Sequence, residues 1–238
     1  MNYAAIMAGG SGSRMGVTDV PKQFLTLDGL PIIIHTLKKF AACGEIEKTV
    51  VMCPKAWVDY TRKLIDTHLA FCADKIYVAP GGATRNDTLE KAVDYICRNF
   101  AFDNDSVIVT HDAVRPFVTA QMISDNIRYA SRFAACNTVI EATDTVVMSA
   151  DGEFIDSSPD RSTVFNCQTP QSFRLGEYLD SLEKLEKSKR DSLTDACSLF
   201  TLTGKKVYMA RGSADNIKIT RPADIQTAEN ILKNTGKQ

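Results

Sequence analysis

The sequence predicts an α/β protein built on a mostly parallel sheet, with helices on both faces and a protruding β-arm. Three observations predict this. Short apolar runs alternate along the chain with stretches whose apolar residues recur every three or four positions, the pattern of buried strands covered by helices. Three of those runs break into loops at Gly9, Gly81 and His111, and in a parallel sheet such loops gather at the carboxyl ends of the strands. Residues 143–168 interrupt the alternation with β-prone runs on either side of Asp151-Gly152, which reads as a hairpin arm. At 238 residues the chain is expected to be a single domain, 1–238, with 143–168 as an excursion.

Taken in order, Tyr3–Ala8 has the length of a buried strand and ends in Gly9-Gly10-Ser11-Gly12-Ser13-Arg14-Met15-Gly16. After Pro31 a helix carries Ile34, Leu37 and Ala41 inward, and Gly44 stops it. Lys48–Cys53 is a strand ended by Pro54, and a helix over 56–69 is expected to bury Trp57, Tyr60, Leu64 and Leu69 or their neighbours. Trp57, the sole tryptophan, falls on that stripe and is expected to pack. Lys75–Ala79 is the next strand, and the helix beyond its loop turns Leu89, Val93 and Ile96 inward with Asp87 as its cap. Ser106–Thr110 is a strand that His111-Asp112-Ala113-Val114-Arg115-Pro116 leaves; Thr119 caps a helix reaching Phe133; Asn137–Ala142 is again a strand. Past the arm come helices over 176–187 and 193–203, strands over 205–210 and 216–220, and a final helix with Pro222 in its first turn.

A net charge of -1 without a basic block argues against a nucleic-acid surface and suits a small phosphorylated ligand. The seven cysteines are scattered and never in C-x-x-C spacing, as expected for core thiols in a reducing compartment. No basic-then-apolar leader and no run long enough for a bilayer is found, so a soluble, cytoplasmic protein without a membrane partner is expected.

The first loop suits a polyphosphate. Glycines let backbone N–H groups surround a phosphate without Cβ interference, and Arg14 and Lys22 add cationic donors. A Walker loop is excluded because no Gly-Lys-Ser/Thr occurs, and a dinucleotide fingerprint starting at Gly10 would need glycine where Met15 stands. Cleaving a triphosphate between its α and β phosphates requires cations to spread charge and a metal to align the chain. Asp112 suits either a metal or an ion pair with Arg115. Lys218, opposite in direction to Ile217 and Ile219, suits either an incoming phosphate or solvent. His35, His68 and His111 lack metal-ligand spacing and read as packed or surface residues.

Seven motifs in order then carry a resemblance: Ala8 to Gly16, Pro21-Lys22-Gln23, Gly81 to Arg85, His111 to Pro116, Gln168 to Phe173, Thr194-Asp195-Ala196 and Asn216 to Thr220. Over nearly its whole length the chain resembles the sugar-alcohol phosphate cytidylyltransferases, a family with a methylerythritol 4-phosphate branch and a ribitol 5-phosphate branch. The resemblance implies a three-layer αβα, Rossmann-like nucleotidyltransferase fold. It implies transfer of the cytidylyl group of CTP to a polyol phosphate with Mg²⁺ as cofactor, by direct attack and without a covalent enzyme intermediate. Arg14, Lys22 and Lys218 would be catalytic, the first two stabilising charge on the phosphates and Lys218 steering the incoming phosphate. Met7, Ala8, Gly9, Gly10, Gly81, Gly82, Arg85, Asn86 and Thr88 would contact CTP. Asp112, Arg115, Thr145 and Arg161 would join Lys218 on the polyol side, with Arg161 reaching a neighbouring subunit because the arm swaps across a homodimer. Asp112, with Asp215, would hold the metal.

The texts Val109-Thr110-His111-Asp112, Asp144-Thr145-Val146-Val147 and Leu193-Thr194-Asp195-Ala196-Cys197 resemble the ribitol branch and Met7-Ala8-Gly9-Gly10 departs from the methylerythritol pattern, while Asp215 resembles the methylerythritol branch. The expected reaction is CTP plus D-ribitol 5-phosphate to CDP-ribitol and pyrophosphate, in teichoic acid or related polymer synthesis. Methylerythritol 4-phosphate cytidylyl transfer and non-catalytic nucleotide binding on the same scaffold are the alternatives.

Overall fold

The computed structural model describes residues 1–10, 20–191, 193 and 195–235. Arg14 and Thr194 therefore lie outside the described residues. In chain order the strands are β1 (Asn2–Met7), β2 (Thr26–Leu27), β3 (Leu30–Pro31), β4 (Lys48–Cys53), β5 (Ile76–Pro80), β6 (Val107–Asp112), β7 (Ala135–Glu141), β8 (Phe165–Arg174) and β9 (Tyr208–Arg211). The α-helices are α1 (Ile32–Ala41), α2 (Val58–His68), α3 (Arg85–Asn99), α4 (Ala120–Phe133), α5 (Leu175–Lys184), α6 (Lys187–Asp191), α7 (Ser198–Leu202) and α8 (Pro222–Thr235).

Seven strands form one sheet in the order β5-β4-β1-β6-β8-β7-β9. It is mostly parallel, because only β8 runs antiparallel to its neighbours β6 and β7. The period of two along β1 sorts the core. Ala4 and Ile6 join α1, α2 and α4 in one cluster, and Tyr3 and Ala5 join α3, α5 and α7 in another. Helices on both faces give the three-layer αβα arrangement that the alternation predicts.

Several elements differ from the sequence-based expectation, each for a physical reason. Ahead of α2 the chain makes a 3-10 turn at Lys55–Trp57, and α2 buries Thr61 and Ile65 while Tyr60 is exposed. Tyr60 instead meets Phe24 edge-on, and Trp57 stacks on Phe24 with ring centroids 4.9 Å apart. The cap of α3 is Thr84, whose hydroxyl accepts from Asp87 N at 3.1 Å; Asp87 turns back to accept from Ala83 N at 2.8 Å. Thr119 caps α4 as expected, accepting from Met122 N at 3.2 Å.

Strand β6 runs on through His111 and Asp112, which pair with Ile6 and Met7 of β1 instead of leaving the sheet. The central strand β8 is hidden in the sequence by Pro170, which cannot donate to a ladder. The sheet accommodates it where the β7–β8 register shifts between Asn137 and Val139. Residues 165–168 consequently belong to β8 and not to the arm. The excursion closes at a bond from Ala142 N to Val164 O (3.0 Å), and its hairpin is held by Met148 N to Ser157 O (2.8 Å), with Gly152 at φ +80. Residues 216–220 are irregular and not a strand, tied to the sheet region by Ile219 N to Val114 O (2.9 Å).

Candidate active site

Strand β1 has β4 and β5 on one side and β6 on the other, so chain direction across the sheet reverses at β1. A crevice forms outside the carboxyl ends of strands at such a point. Here it is a pocket of about 430 Å³ lined by Met7, Ala8, Gly9 and Gly10 from β1 and its loop, Gly82, Ala83, Thr84, Arg85 and Thr88 from the second loop and α3, and Asp112, Ala113 and Val114 from the end of β6. Lys22, Gln23 and Lys218 complete the wall.

The two glycine loops meet through Thr88. Its hydroxyl accepts from Gly82 N at 3.0 Å and donates to Thr84 O at 2.7 Å, and it would stand 3.5 Å from a Cβ on Gly9. Gly82 has no room for a side chain, since a Cβ there would lie 2.2 Å from Asp87 Oδ2 and 2.7 Å from the Asp87 carbonyl carbon. Lys22 enters from the 3-10 turn Lys22–Phe24. That turn is anchored by Gln23 Nε2 donating to Ala8 O at 2.6 Å and by Phe24 on Trp57.

Asp112 is the one carboxylate lining the pocket among the described residues. Lys218 Nζ lies 2.9 Å, Arg115 Nε 3.3 Å and Arg85 Nη2 3.9 Å from its oxygens. Burial alone would raise its pKa, but Lys218, Arg85 and Arg115 together hold it well below the usual carboxylate range. Arg85 Nη1 is buried without a hydrogen-bond partner among the described residues, a donor suited to a ligand oxygen. With Lys22, Arg85 and Lys218 set against one carboxylate, the described wall favours a polyanion. His111 packs against Phe40 and burial pulls its pKa down to about 4, so it is a neutral packed residue.

The structure thus brings together Met7, Ala8, Gly9, Gly10, Gly82, Arg85, Thr88, Lys22, Asp112 and Lys218. Other expected site residues stand elsewhere. Gly81 bonds to Cys53 O, and Asn86 Nδ2 is held by the carbonyls of Arg190 and Leu193. Arg115 supports Asp112 from behind, its Nη1 donating to Asn216 O at 2.7 Å. Thr145 and Arg161 are exposed on the excursion, where Arg161 Nη1 reaches Thr143 O. Asp215 is exposed and does not line the pocket, because the turn at 213–216 places Asn216 inward in its stead. No cluster of three acidic, His or Cys side chains exists among the described residues. A single carboxylate still fits Mg²⁺, which keeps several waters and takes further oxygens from substrate phosphates. Gln23, Ala83, Thr84, Ala113 and Val114 also line the pocket; each lies within a motif quoted above, which is the signal that could have marked them.

An αβα fold with a cationic, glycine-walled pocket at its switch point defines a protein that handles phosphorylated nucleotides or metabolites. The family model described as 2-C-methyl-D-erythritol 4-phosphate cytidylyltransferase (IspD) matches residues 3–234, and the chain belongs to that family of nucleotidyltransferases. It is 41% identical over 98% of its length to a ribitol-5-phosphate cytidylyltransferase of Streptococcus pneumoniae (strain ATCC 700669 / Spain 23F-1), 99% of which is covered. The same identity and coverage hold for the protein of that name from serotype 19F (strain G54). Among solved structures, 4-diphosphocytidyl-2C-methyl-D-erythritol synthase of Anaerococcus prevotii superposes with a TM-score of 0.79 at 28% identity, covering 98% of this chain and 96% of that one. The 2-C-methyl-D-erythritol 4-phosphate cytidylyltransferase of Francisella tularensis gives 0.76 at 27% identity, with 96% and 98% covered. No helix among the described residues is long and apolar enough to cross a membrane.

Proposed function

We propose that the chain transfers the cytidylyl group of CTP to D-ribitol 5-phosphate, releasing pyrophosphate and forming CDP-ribitol for teichoic acid or a related polymer. The observation that carries this reading is the convergence of Lys22, Arg85 and Lys218 on a glycine-walled pocket with Asp112 at its floor. The choice of ribitol phosphate is supported by the near full-length relatives of that name.

Triphosphate oxygens sit against the loop after β1, with Lys22 and Arg85 offsetting their charge. Lys218 orients the incoming phosphate monoester so that its oxygen attacks the α-phosphorus in line, and pyrophosphate leaves with the electron pair of the broken bond. Asp112 would hold Mg²⁺, which supplies charge neutralisation and alignment of the phosphates when bound. No side chain acts as a covalent nucleophile. Arg14, outside the described residues, is assigned to the phosphates on its place in the motif.

The excursion is assigned to a homodimer contact. Phe154 and Ile155 are 71% and 69% exposed, and Val147 and Met148 beside them are also open, an apolar surface that a second copy would cover. Arg161 would then reach the partner's site, with Thr145 on the polyol side. The seven free thiols support a cytoplasmic location.

Pyrophosphate release from CTP and Mg²⁺, with D-ribitol 5-phosphate and methylerythritol 4-phosphate offered in parallel, tests the reading. Preference for ribitol phosphate is expected. Preference for methylerythritol phosphate would move the chain to isoprenoid synthesis, and silence with both would leave a nucleotide-binding scaffold.

A further inference from the structure

Behind Asp112 lies a polar network that the reaction as described does not use. Asn216 is fully buried and does not line the pocket. Its Nδ2 donates to Gln168 Oε1 at 3.2 Å and to Thr169 O at 2.9 Å, while its backbone carbonyl accepts from Arg115 Nη1. Gln168 bonds both ways to Ser213, donating to its carbonyl at 2.8 Å and accepting from its N–H at 3.4 Å. Thr169 Oγ1 accepts from Asp112 N at 3.1 Å. Two residues beyond Asn216, Lys218 meets Asp112.

Residues 213–218 have no helix or strand of their own. Regular structure therefore cannot place the Lys218 ammonium, and the segment is located by bonds with Gln168 and Thr169 of β8, by Arg115 Nη1 on Asn216 O and by Ile219 N on Val114 O. A buried amide that satisfies two acceptors specifies one chain position, since any other leaves those acceptors unpaired. We propose that Asn216 and Gln168 are positioning residues that fix the Lys218 ammonium over the pocket floor, acting through the 213–218 segment without touching substrate. The inference rests on the reading of Lys218 as the cation that orients the incoming phosphate.

The test uses the full chain carrying Asn216→Ala, Gln168→Ala and Gln168→Glu, each alone and with Lys218→Ala. Gln168→Glu keeps the acceptor for Asn216 but sets a negative charge against the Ser213 carbonyl, so Gln168→Ala, which adds no charge, serves if the Asn216 variant does not fold. Initial rates of pyrophosphate release, thermal melting, and the rate of reductive methylation of Lys218 followed by peptide mass spectrometry are read together. Asn216→Ala is expected to lower kcat on the order of 10²-fold at temperatures where it is folded, with KM for CTP unchanged. That loss should vanish in the Lys218→Ala background, and Lys218 should methylate faster in the Asn216 and Gln168 variants. Losses that multiply with Lys218→Ala, activity that follows only the folded fraction, or unchanged methylation would overturn the proposal. Were the wild type to release no pyrophosphate with any polyol phosphate, the proposed function would fail. The methylation comparison would still decide whether Asn216 places Lys218.

Discussion

Lys218 Nζ stands 2.9 Å from Asp112 Oδ2, an ion pair that joins an irregular segment to the last residue of a central strand. Arg115 and Arg85 close on the same carboxylate, so the floor of the pocket is a single buried anion held by three cations. Such a floor keeps Asp112 ionised while leaving positive charge toward the ligand space.

Removing either pocket lysine should therefore be costly to catalysis without unfolding the chain. Lys22→Ala and Lys218→Ala are each expected to lower turnover by about 10²- to 10³-fold. Pyrophosphate release and far-UV circular dichroism check this, and wild-type turnover in either variant would remove that residue from the mechanism.

Gly82→Ala should weaken nucleotide binding by about tenfold or more, since the added Cβ meets Asp87 at 2.2 Å and the loop must shift away from the pocket. Gly44→Ala is the matched control, because nothing lies within 4 Å of a Cβ there. Isothermal titration with CTP compares the two.

Thr119→Ala removes the cap of α4, which does not line the pocket. The expected cost is about 1 kcal/mol, read as a melting temperature lowered by about 2–4 °C. The rate at 25 °C should not change.

If the excursion is the proposed contact between two copies, replacing its apolar tip, Phe154→Ser with Ile155→Ser, should leave monomers where the wild type is dimeric in size-exclusion light scattering. If Arg161 serves the partner's site, mixing inactive Arg161→Ala and Lys218→Ala subunits should restore activity after exchange. No recovery with exchange confirmed would mean that each site is complete within one chain.

Thiol chemistry should be confined to the surface. Burial pushes Cys136 up to about 12 and holds Cys197 well above the usual thiol range, so both stay protonated and enclosed at neutral pH. Cys167 is the one exposed thiol. Alkylation at pH 7 followed by peptide mapping should label Cys167 first, and early labelling of Cys136 or Cys197 would contradict the packing.

Periodicity made the sheet and its covering helices legible, because Tyr3–Ala8 and Lys48–Cys53 read as buried runs whatever surrounds them. Strand β8 was not legible. Pro170 and the polar Gln168, Thr169 and Gln171 disguise a strand that joins the sheet with a bulge of its own, residues 168–170 facing Thr138 alone between the Asn137–Gln171 and Val139–Cys167 pairs. Within the site, glycines and cations could be picked out by type, but the support of Lys218 could not. Asn216 looks like any loop asparagine until Gln168 and Thr169 are folded against it. Asp215 was expected at the metal on the family resemblance alone, and the burial of the neutral amide beside it does not show in a sequence.

Trp57 is the sole tryptophan of the chain, and its ring lies on Phe24, two residues from Lys22. Its emission consequently has one origin, in optical contact with the turn that presents Lys22. A shift of that turn as nucleotide arrives would change the intrinsic fluorescence, so stopped-flow mixing with CTP could time the arrival of Lys22 separately from the chemical step, without any attached dye.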